Sequence, residues 1–405
     1  MTRAFNEDWA RTFRYARKHS PYYRDLLGRI KGVPALETLP TVDKTTLSAR
    51  NLDFLCVPRE RIVEIVTTSG TTGQPIEWLL TENDLRRLGL NEKLSFECAG
   101  LAASDTVLVT VAMDRCFIAG LAYWLGLREL GSAIVRSGPG SPLLALELIR
   151  RLRPSAVIGV PSFLSVIAEK ARETRFDLRK ANIGKAICIG EPVRDASFAL
   201  NAAGRRIADA WGARVYSTYG VTELANSICE CDAGAGGHVH DRQLYVEILD
   251  DEGRPVPDGE VGEVVATTFG VEAMPLIRYR TGDCAALFRG RCACGRTTPR
   301  LGPILGRKNQ KLKFKGASLF PSTLQAVLEE AKGVESFVIV ARAGGTLSDS
   351  VEILVHGSAS AGRLGELIQA RAKITPQIRL ASRPEIEALQ APPNARKRRT
   401  FVDLR

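Results

Sequence analysis

Between positions 105 and 220, short apolar runs alternate with stretches whose apolar residues recur every three or four positions. Thr106-Val107-Leu108-Val109-Thr110-Val111, Ala156-Val157-Ile158-Gly159-Val160 and Lys185-Ala186-Ile187-Cys188-Ile189 read as buried strands. Arg214-Val215-Tyr216 predicts a fourth. Leu144, Leu148 and Leu152 keep helical spacing, and a further helix is expected around 163–171. Strands separated by helices of this length indicate βαβ units and parallel pairing.

The rhythm differs on either side. Positions 16–27, with Pro21-Tyr22-Tyr23-Arg24, predict a helix, and a loop-like stretch with Pro34, Pro40 and Asp43 follows. After Tyr219 the runs at 245–249 and 261–268, with the turn Asp250-Asp251-Glu252-Gly253, predict antiparallel strands. After Gly306 a helix is expected from Pro321, a suitable first-turn residue. Strands at Phe337-Val338-Ile339-Val340 and Val351-Glu352-Ile353-Leu354-Val355 and a helix around 364–372 complete a small α+β unit. At about 95 residues it is large enough to be a separate domain.

Composition narrows the class. Hydrophobic residues make up 45% and charged residues 25%, ordinary values that exclude disordered and fibrous chains. No apolar run approaches the ~18 residues of a membrane span, so no membrane partner is expected. The start lacks the apolar core of a signal peptide, and a cytoplasmic protein is expected. The net charge of +11 raises a nucleic-acid partner. Its positive residues are scattered except for Arg396-Lys397-Arg398-Arg399, and no nucleic-acid motif is present, so the expectation is a basic surface that attracts anionic small molecules. Nine cysteines without a secretion signal argue against a disulfide framework.

The strongest local signal is Thr67-Thr68-Ser69-Gly70-Thr71-Thr72-Gly73-Gln74-Pro75, after an apolar run at 62–66. Two glycines let the backbone turn sharply and present N–H groups, and five hydroxyls add donors; such a loop suits a triphosphate. It also reads as a solvated turn, and it lacks the Gly-Lys-Ser/Thr of the usual nucleotide loop. Gly190-Glu191-Pro192, Tyr219-Gly220-Val221-Thr222-Glu223, Ile277-Arg278-Tyr279-Arg280-Thr281-Gly282-Asp283, Gly306-Arg307, Lys313-x-Lys315-Gly316 with Phe320-Pro321, and the tail from Lys397 follow in order. Together these resemble the adenylate-forming acyl-CoA synthetase superfamily, in particular its phenylacetate–coenzyme A ligase branch, over nearly the whole chain.

The resemblance implies a mixed α/β fold: a large N-terminal domain of layered sheets and helices, 1–305, and a small mobile α+β domain, 306–405. It implies ATP-dependent activation of a carboxylic acid, by family an aromatic one, as acyl-AMP, then transfer to coenzyme A. Ser69, Gly70, Thr71, Thr72 and Gly73 would hold phosphates; Gly190, Glu191, Pro192, Tyr219 and Gly220 would border adenine. Asp283 would accept the ribose hydroxyls, since a carboxylate's paired acceptors match a diol. Glu223, beside Thr222, would hold Mg²⁺ through hard carboxylate oxygen. Arg307 and Lys313 would border the nucleotide near a hinge at Gln310, and Lys397 would neutralise charge at the forming acyl-phosphate bond. Gln74 stands where the family often has lysine, and Gln310 where many members have aspartate; Arg396 and Thr400 also depart from the usual ending. Phe117-Ile118-Ala119-Gly120-Leu121-Ala122-Tyr123-Trp124 and Gly159-Val160-Pro161-Ser162 are candidate walls for the acid, or ordinary core. Two rivals stand: transfer to an amine, alcohol or carrier protein, and a non-catalytic nucleotide binder. A homodimer is left open.

Cys231, His238, Cys292 and Cys294 are expected to form a structural zinc site. Cys₃His is a common tetrahedral set, and Gly295 would let the backbone turn around the metal. Relatives on the same branch carry a similar Cys…His…Cys-x-Cys-Gly pattern. Cys229 could replace Cys231, and His240 could replace His238. Four unrelated residues are the bland reading.

Overall fold

The hydroxyl of Thr2 caps helix α1 (Arg3–His19) by accepting from the Phe5 amide. The computed structural model describes residues 2–68, 76–314, 317–345, 348–390 and 399–405. Two compact units divide the chain, Met1–Ile304 and Leu305–Arg405. The single helix expected across 16–27 is corrected: α1 stops at His19, and α2 (Pro21–Leu27) starts afresh. Pro21 lacks an N–H and suits only a first turn, while the Ser20 hydroxyl accepts from the Tyr23 amide. Next come α3 (Lys44–Ala49), the antiparallel pair β1 (Ile62–Thr67) and β2 (Glu77–Thr81), and α4 (Glu82–Cys98), which opens with a capping box between Thr81 and Asp84.

The alternating region forms β3 (Thr106–Val109), α5 (Ile118–Leu130), β4 (Ala133–Arg136), α6 (Pro142–Leu152), β5 (Ala156–Gly159), α7 (Pro161–Glu173), β6 (Lys185–Ile189), α8 (Ala202–Trp211) and β7 (Arg214–Val221). These strands run parallel in the order β4-β3-β5-β6-β7, and β8 (Asn226–Cys229) adds an antiparallel edge. Successive strand residues face opposite sides. Val107, Val109, Ala156, Ile158 and Ile187 therefore enter one core, with Phe96 and Leu127 from α4 and α5. Leu108, Val157, Ala186, Cys188 and Val215 enter another, under Ile149, Leu164, Ile207 and Trp211 from α6, α7 and α8. This two-faced burial is why the runs read as continuously apolar.

β9 (Gly237–His238), β10 (Leu244–Leu249), β11 (Val261–Thr268), β12 (Tyr279–Phe288) and β13 (Arg300–Leu301) form an antiparallel sheet in the order β10-β11-β12-β13-β9. The pairing of β11 with β12 is irregular. Glu263 meets Cys284 and Val265 meets Arg280, so Val264 alone on one strand stands opposite three residues, Thr281, Gly282 and Asp283, on the other. Gly282, at φ +78°, lies in that excess. A side chain there would be strained, and the irregularity re-aims Asp283.

The second unit contains β14 (Gly306–Arg307), β15 (Leu312–Phe314), β16 (Ala317–Leu319), α9 (Pro321–Glu330), β17 (Val334–Gly345), β18 (Ser348–Gly357), α10 (Ala361–Ala372), β19 (Gln377–Leu380), α11 (Arg383–Gln390) and β20 (Phe401–Leu404). Its four-stranded sheet has the order β19-β18-β17-β20, antiparallel at the centre and parallel at both edges. Leu324, Leu328, Ile339, Ile353, Leu364 and Ile368 form its core. Among the described residues no helix is long and apolar enough to cross a membrane.

Candidate active site

β7 ends in a 3₁₀ turn, Thr222–Leu224, that carries Glu223. The carboxylate is buried, and its Oε1 accepts from the Tyr279 phenol at 3.2 Å. Lys44 Nζ lies 3.4 Å from the same oxygen. A second pair stands beside it: the Tyr219 phenol donates to Asp283 Oδ2 at 2.9 Å. The Asp283 amide donates to Thr281 Oγ1 at 3.1 Å, inside the irregular segment of β12. The end of β7 and the start of β12 thus bring Tyr219, Glu223, Tyr279 and Asp283 together as two phenol–carboxylate pairs. Burial, then the facing carboxylates, push both tyrosine phenols far above their ordinary range. They are permanent donors at neutral pH.

Gly190-Glu191-Pro192 follows β6. Glu191 already has employment: its two oxygens accept from the amide and hydroxyl of Ser162, at 2.9 and 2.7 Å, at the first turn of α7. That contact favours an anion near a helix start. The Pro192 carbonyl accepts from Asn201 Nδ2 at 2.9 Å, tying the motif to the start of α8. In the second unit Arg307 is exposed on β14, and the Lys313 amide on β15 donates to Asp349 Oδ2 at 2.7 Å.

Ser69, Gly70, Thr71, Thr72, Gly73, Gln74 and Lys397 lie outside the described residues. Their flanks are described. The Thr68 amide donates to the Ile76 carbonyl at 3.1 Å, and the Ile76 amide to Thr68 Oγ1 at 3.2 Å. Residues 391–398 are bracketed in the same way, by a 2.8 Å bond from the Arg399 amide to the Gln390 carbonyl. Of the candidate acid walls, Phe117 is exposed, while Tyr123 is fully buried against Phe96 in the main core.

Four sulfur and nitrogen donors meet elsewhere in the first unit. One ligand atom each from Cys231, His238, Cys292 and Cys294 lies within 4.8 Å of every other. Cys231 Sγ and Cys292 Sγ are 3.7 Å apart, and Cys294 Sγ is 3.4 Å from His238 Nε2. The other imidazole nitrogen, Nδ1, is 2.9 Å from Thr298 Oγ1, which fixes the ring. β9 pairs with β13, Arg300 opposite His238, and so draws the two sequence halves together. The tight Cys292-x-Cys294 turn depends on Gly295, at φ +90°, whose amide donates to the Cys292 carbonyl at 2.9 Å. Cys229 and His240 stand apart: Cys229 faces Thr218 Oγ1, and His240 faces Ser95 Oγ. Burial, followed by Arg296 and Arg300, lowers His238 to about 4, leaving a neutral imidazole. Burial pushes the Cys231 thiol up; at exposed Cys294, the amide and side chain of Arg296 and the neighbouring thiols outweigh burial and draw the group down to about 7.

Residues 28–272 match the family described as AMP-binding enzyme. A phenylacetate-coenzyme A ligase of Thermus thermophilus is 32% identical over 357 residues, 85% of this chain and 78% of that protein. The chain belongs to the AMP-binding enzymes, on the phenylacetate–coenzyme A ligase branch. An Escherichia coli phenylacetate-coenzyme A ligase is 29% identical over 327 residues, 78% of this chain and 72% of that protein. The crystal structure of a 2-hydroxyisobutyryl-CoA ligase with 2-HIB-AMP superposes with a TM-score of 0.84 at 22% identity, over 99% of this chain and 89% of that one, a likeness of fold.

In this AMP-binding enzyme, two contributors escaped the motif reading. Lys44 reaches Glu223 from the N-terminal segment, and Tyr279 sits inside a quoted motif without an assigned task. Asp43, which caps α3 by accepting from the Thr46 amide, marks a helix start at Lys44. Nothing in the sequence signals its distant carboxylate partner.

Proposed function

We propose that this chain is an AMP-forming acid–coenzyme A ligase that activates an aromatic carboxylic acid. The observation that carries the reading is the pair of buried carboxylates, Glu223 and Asp283, each held by a phenol where β7 meets β12. The acid's carboxylate attacks the α-phosphate of ATP, giving acyl-AMP and pyrophosphate; the thiol of coenzyme A then displaces AMP. Asp283 accepts from the ribose diol, and the flat ring of Tyr219 borders adenine with Gly190, Glu191, Pro192 and Gly220. Residues 69–73 hold phosphates, Thr222 stands with Glu223 among the catalytic residues, and Arg307 and Lys313 border the nucleotide. Lys397 stabilises charge at the reacting phosphoryl group, a reaction that needs positioning and neutralisation above all. Glu223 would hold Mg²⁺, which lowers the charge on the phosphates. Between the steps residues 306–405 turn about Gln310. The nine free cysteines accord with a cytoplasmic setting.

Cys231, His238, Cys292 and Cys294 would hold a structural Zn²⁺. The donor set fits: a tetrahedron with Zn–S near 2.3 Å has sulfur–sulfur edges of about 3.8 Å, and the Cys231–Cys292 separation is 3.7 Å. With four protein donors the ion has no open position, so its contribution is to folding.

The deciding experiment is a pyrophosphate-release screen of aromatic acids with and without coenzyme A, with mass spectrometry of the products. Aryl-CoA formation is expected. Acyl-AMP that persists with coenzyme A but disappears with an amine or carrier protein would reassign the acceptor. No pyrophosphate with any acid would leave a nucleotide-binding protein.

A further inference from the structure

Helix α4 turns a polar face inward. Asp84, Arg87, Asn91, Glu92 and Ser95 are all buried, at spacings that place them along one side. Asn91, Glu92 and Ser95 converge on Ser227, four residues after Glu223. Asn91 Oδ1 accepts from the Ser227 amide at 2.6 Å, and its Nδ2 donates to the Ser227 carbonyl at 3.3 Å. Glu92 Oε2 accepts from the Ser227 hydroxyl at 2.7 Å, and Ser95 Oγ donates to the Ser227 carbonyl at 3.1 Å. Asp84 accepts from the amides of Glu272 and Ala273 at 2.7 and 2.9 Å.

Arg87 makes the widest reach. Its Nε donates to the Phe269 carbonyl at 2.7 Å, Nη2 to Gln243 at 2.7 Å and Nη1 to Ala225 at 2.9 Å. Three separate segments are held by one planar fork. Ala225 closes the 3₁₀ turn that carries Glu223; its amide donates to the Thr222 carbonyl at 3.1 Å, and its φ is +43°. That left-handed backbone is disfavoured for alanine and persists only where surroundings hold it. Burial, partly opposed by Asp84, lowers the guanidinium to about 10, so it remains charged at neutral pH. A charged donor fixed in a dry site orients its acceptors strongly.

We propose that Arg87 is a positioning residue for the turn that presents Glu223: by fixing the Ala225 carbonyl it sets the direction of the Glu223 carboxylate. The assignment rests on the reading that Glu223 holds the divalent cation. Lysine at this position keeps the charge but cannot fork to three carbonyls. Ala225→Gly loosens the same turn without removing a buried charge, because glycine tolerates a positive φ.

The test measures Mn²⁺ binding to the full-length chain with ATP, by electron paramagnetic resonance, alongside pyrophosphate release. Arg87→Lys and Arg87→Met are compared with Glu223→Gln, Ala225→Gly and Trp211→Phe, the last a core change elsewhere in the first unit. The expected result is a rise of about tenfold in the Mn²⁺ dissociation constant for the Arg87 variants, with kcat lowered and KM for the acid within about twofold. Ala225→Gly should shift in the same direction by less, and Trp211→Phe should lower thermal stability without moving Mn²⁺ binding. Should Arg87→Met fail to fold, Arg87→Lys and Ala225→Gly decide. Wild-type Mn²⁺ affinity in those variants overturns the proposal while leaving Glu223 in place. Wild-type Mn²⁺ affinity in Glu223→Gln overturns the metal reading and this proposal with it.

Discussion

Glu223 lies three residues before β8 and Cys231 two residues after it, yet the two ends of this short strand follow opposite rules. At the first end a carboxylate, which offers about four acceptor positions, takes one phenol and faces one lysine. At the second, four donors converge and the histidine's remaining nitrogen is engaged by Thr298. Acceptors kept open toward a ligand suit turnover, whereas a set of donors facing one another suits a permanent ion. On the proposed reading the same stretch of backbone joins a place of exchange to a place of anchorage, and perturbing each end should fail differently.

The largest effect is expected from a residue at neither end. Lys397→Ala should slow acyl-AMP formation by on the order of a hundredfold or more, with ATP binding and zinc content retained. Single-turnover adenylation checks this, and an unchanged rate would move the role to another lysine, such as Lys313 or Lys315. Asp283→Ala should come next, weakening ATP binding by about 1.5–3 kcal/mol, the range for a hydrogen bond to a charged group. Calorimetry should find acid affinity and zinc content unaltered; equal nucleotide affinity would remove the ribose role.

At the anchored end, Cys292→Ser should lower zinc content from about one per chain and reduce Tm by roughly 5 °C or more. Below its melting range the variant should keep KM for ATP within about twofold. An equally stable, equally active metal-free chain would dissolve the contrast. The smallest effect concerns Glu92, which burial pushes up to about 8 against the opposing hydrogen bond from Ser227. An exposed glutamate titrates near 4.3. Between those values the folded chain binds more protons than the unfolded chain, so stability falls as pH rises through that window. Glu92→Gln should flatten this slope; thermal melts at pH 5 and pH 8 with equal losses in variant and wild type would refute it.

The parallel strands were legible because burial on both faces writes uninterrupted apolar runs, as at Ala156–Gly159. Helix α4 was not. Asp84, Arg87, Asn91, Glu92 and Ser95 occupy the buried face where apolar residues normally mark the period. The residues that erase the signal tie the helix to Ala225, Ser227 and residues 272–273. Tyr219, Glu223 and Asp283 could be singled out because their motifs combine unusual residue types at fixed spacing. Their union as phenol–carboxylate pairs was hidden, since the partners stand 64 positions apart in one case and 56 in the other and meet only through the fold. The cysteine cluster was half legible: spacing proposed the donors, and only the β9–β13 pairing chose Cys231 over Cys229 and His238 over His240.

The N-terminal segment carries a consequence for biosynthesis. Val42 hydrogen-bonds through its amide to Arg278 and through its carbonyl to Arg280, while Arg278, in a left-handed backbone and paired with Glu247, donates to the carbonyls of Glu37 and Leu39. These contacts span 241 and 239 positions of sequence. At translation rates of about 5–20 residues per second, the early segment waits roughly ten to fifty seconds for its partner strand. During that interval Phe5 lacks the rings of Tyr245 and Phe269 and Tyr23 lacks the Ile277 amide, partners each holds in the finished fold. The nascent chain is therefore most in need of protection at its beginning.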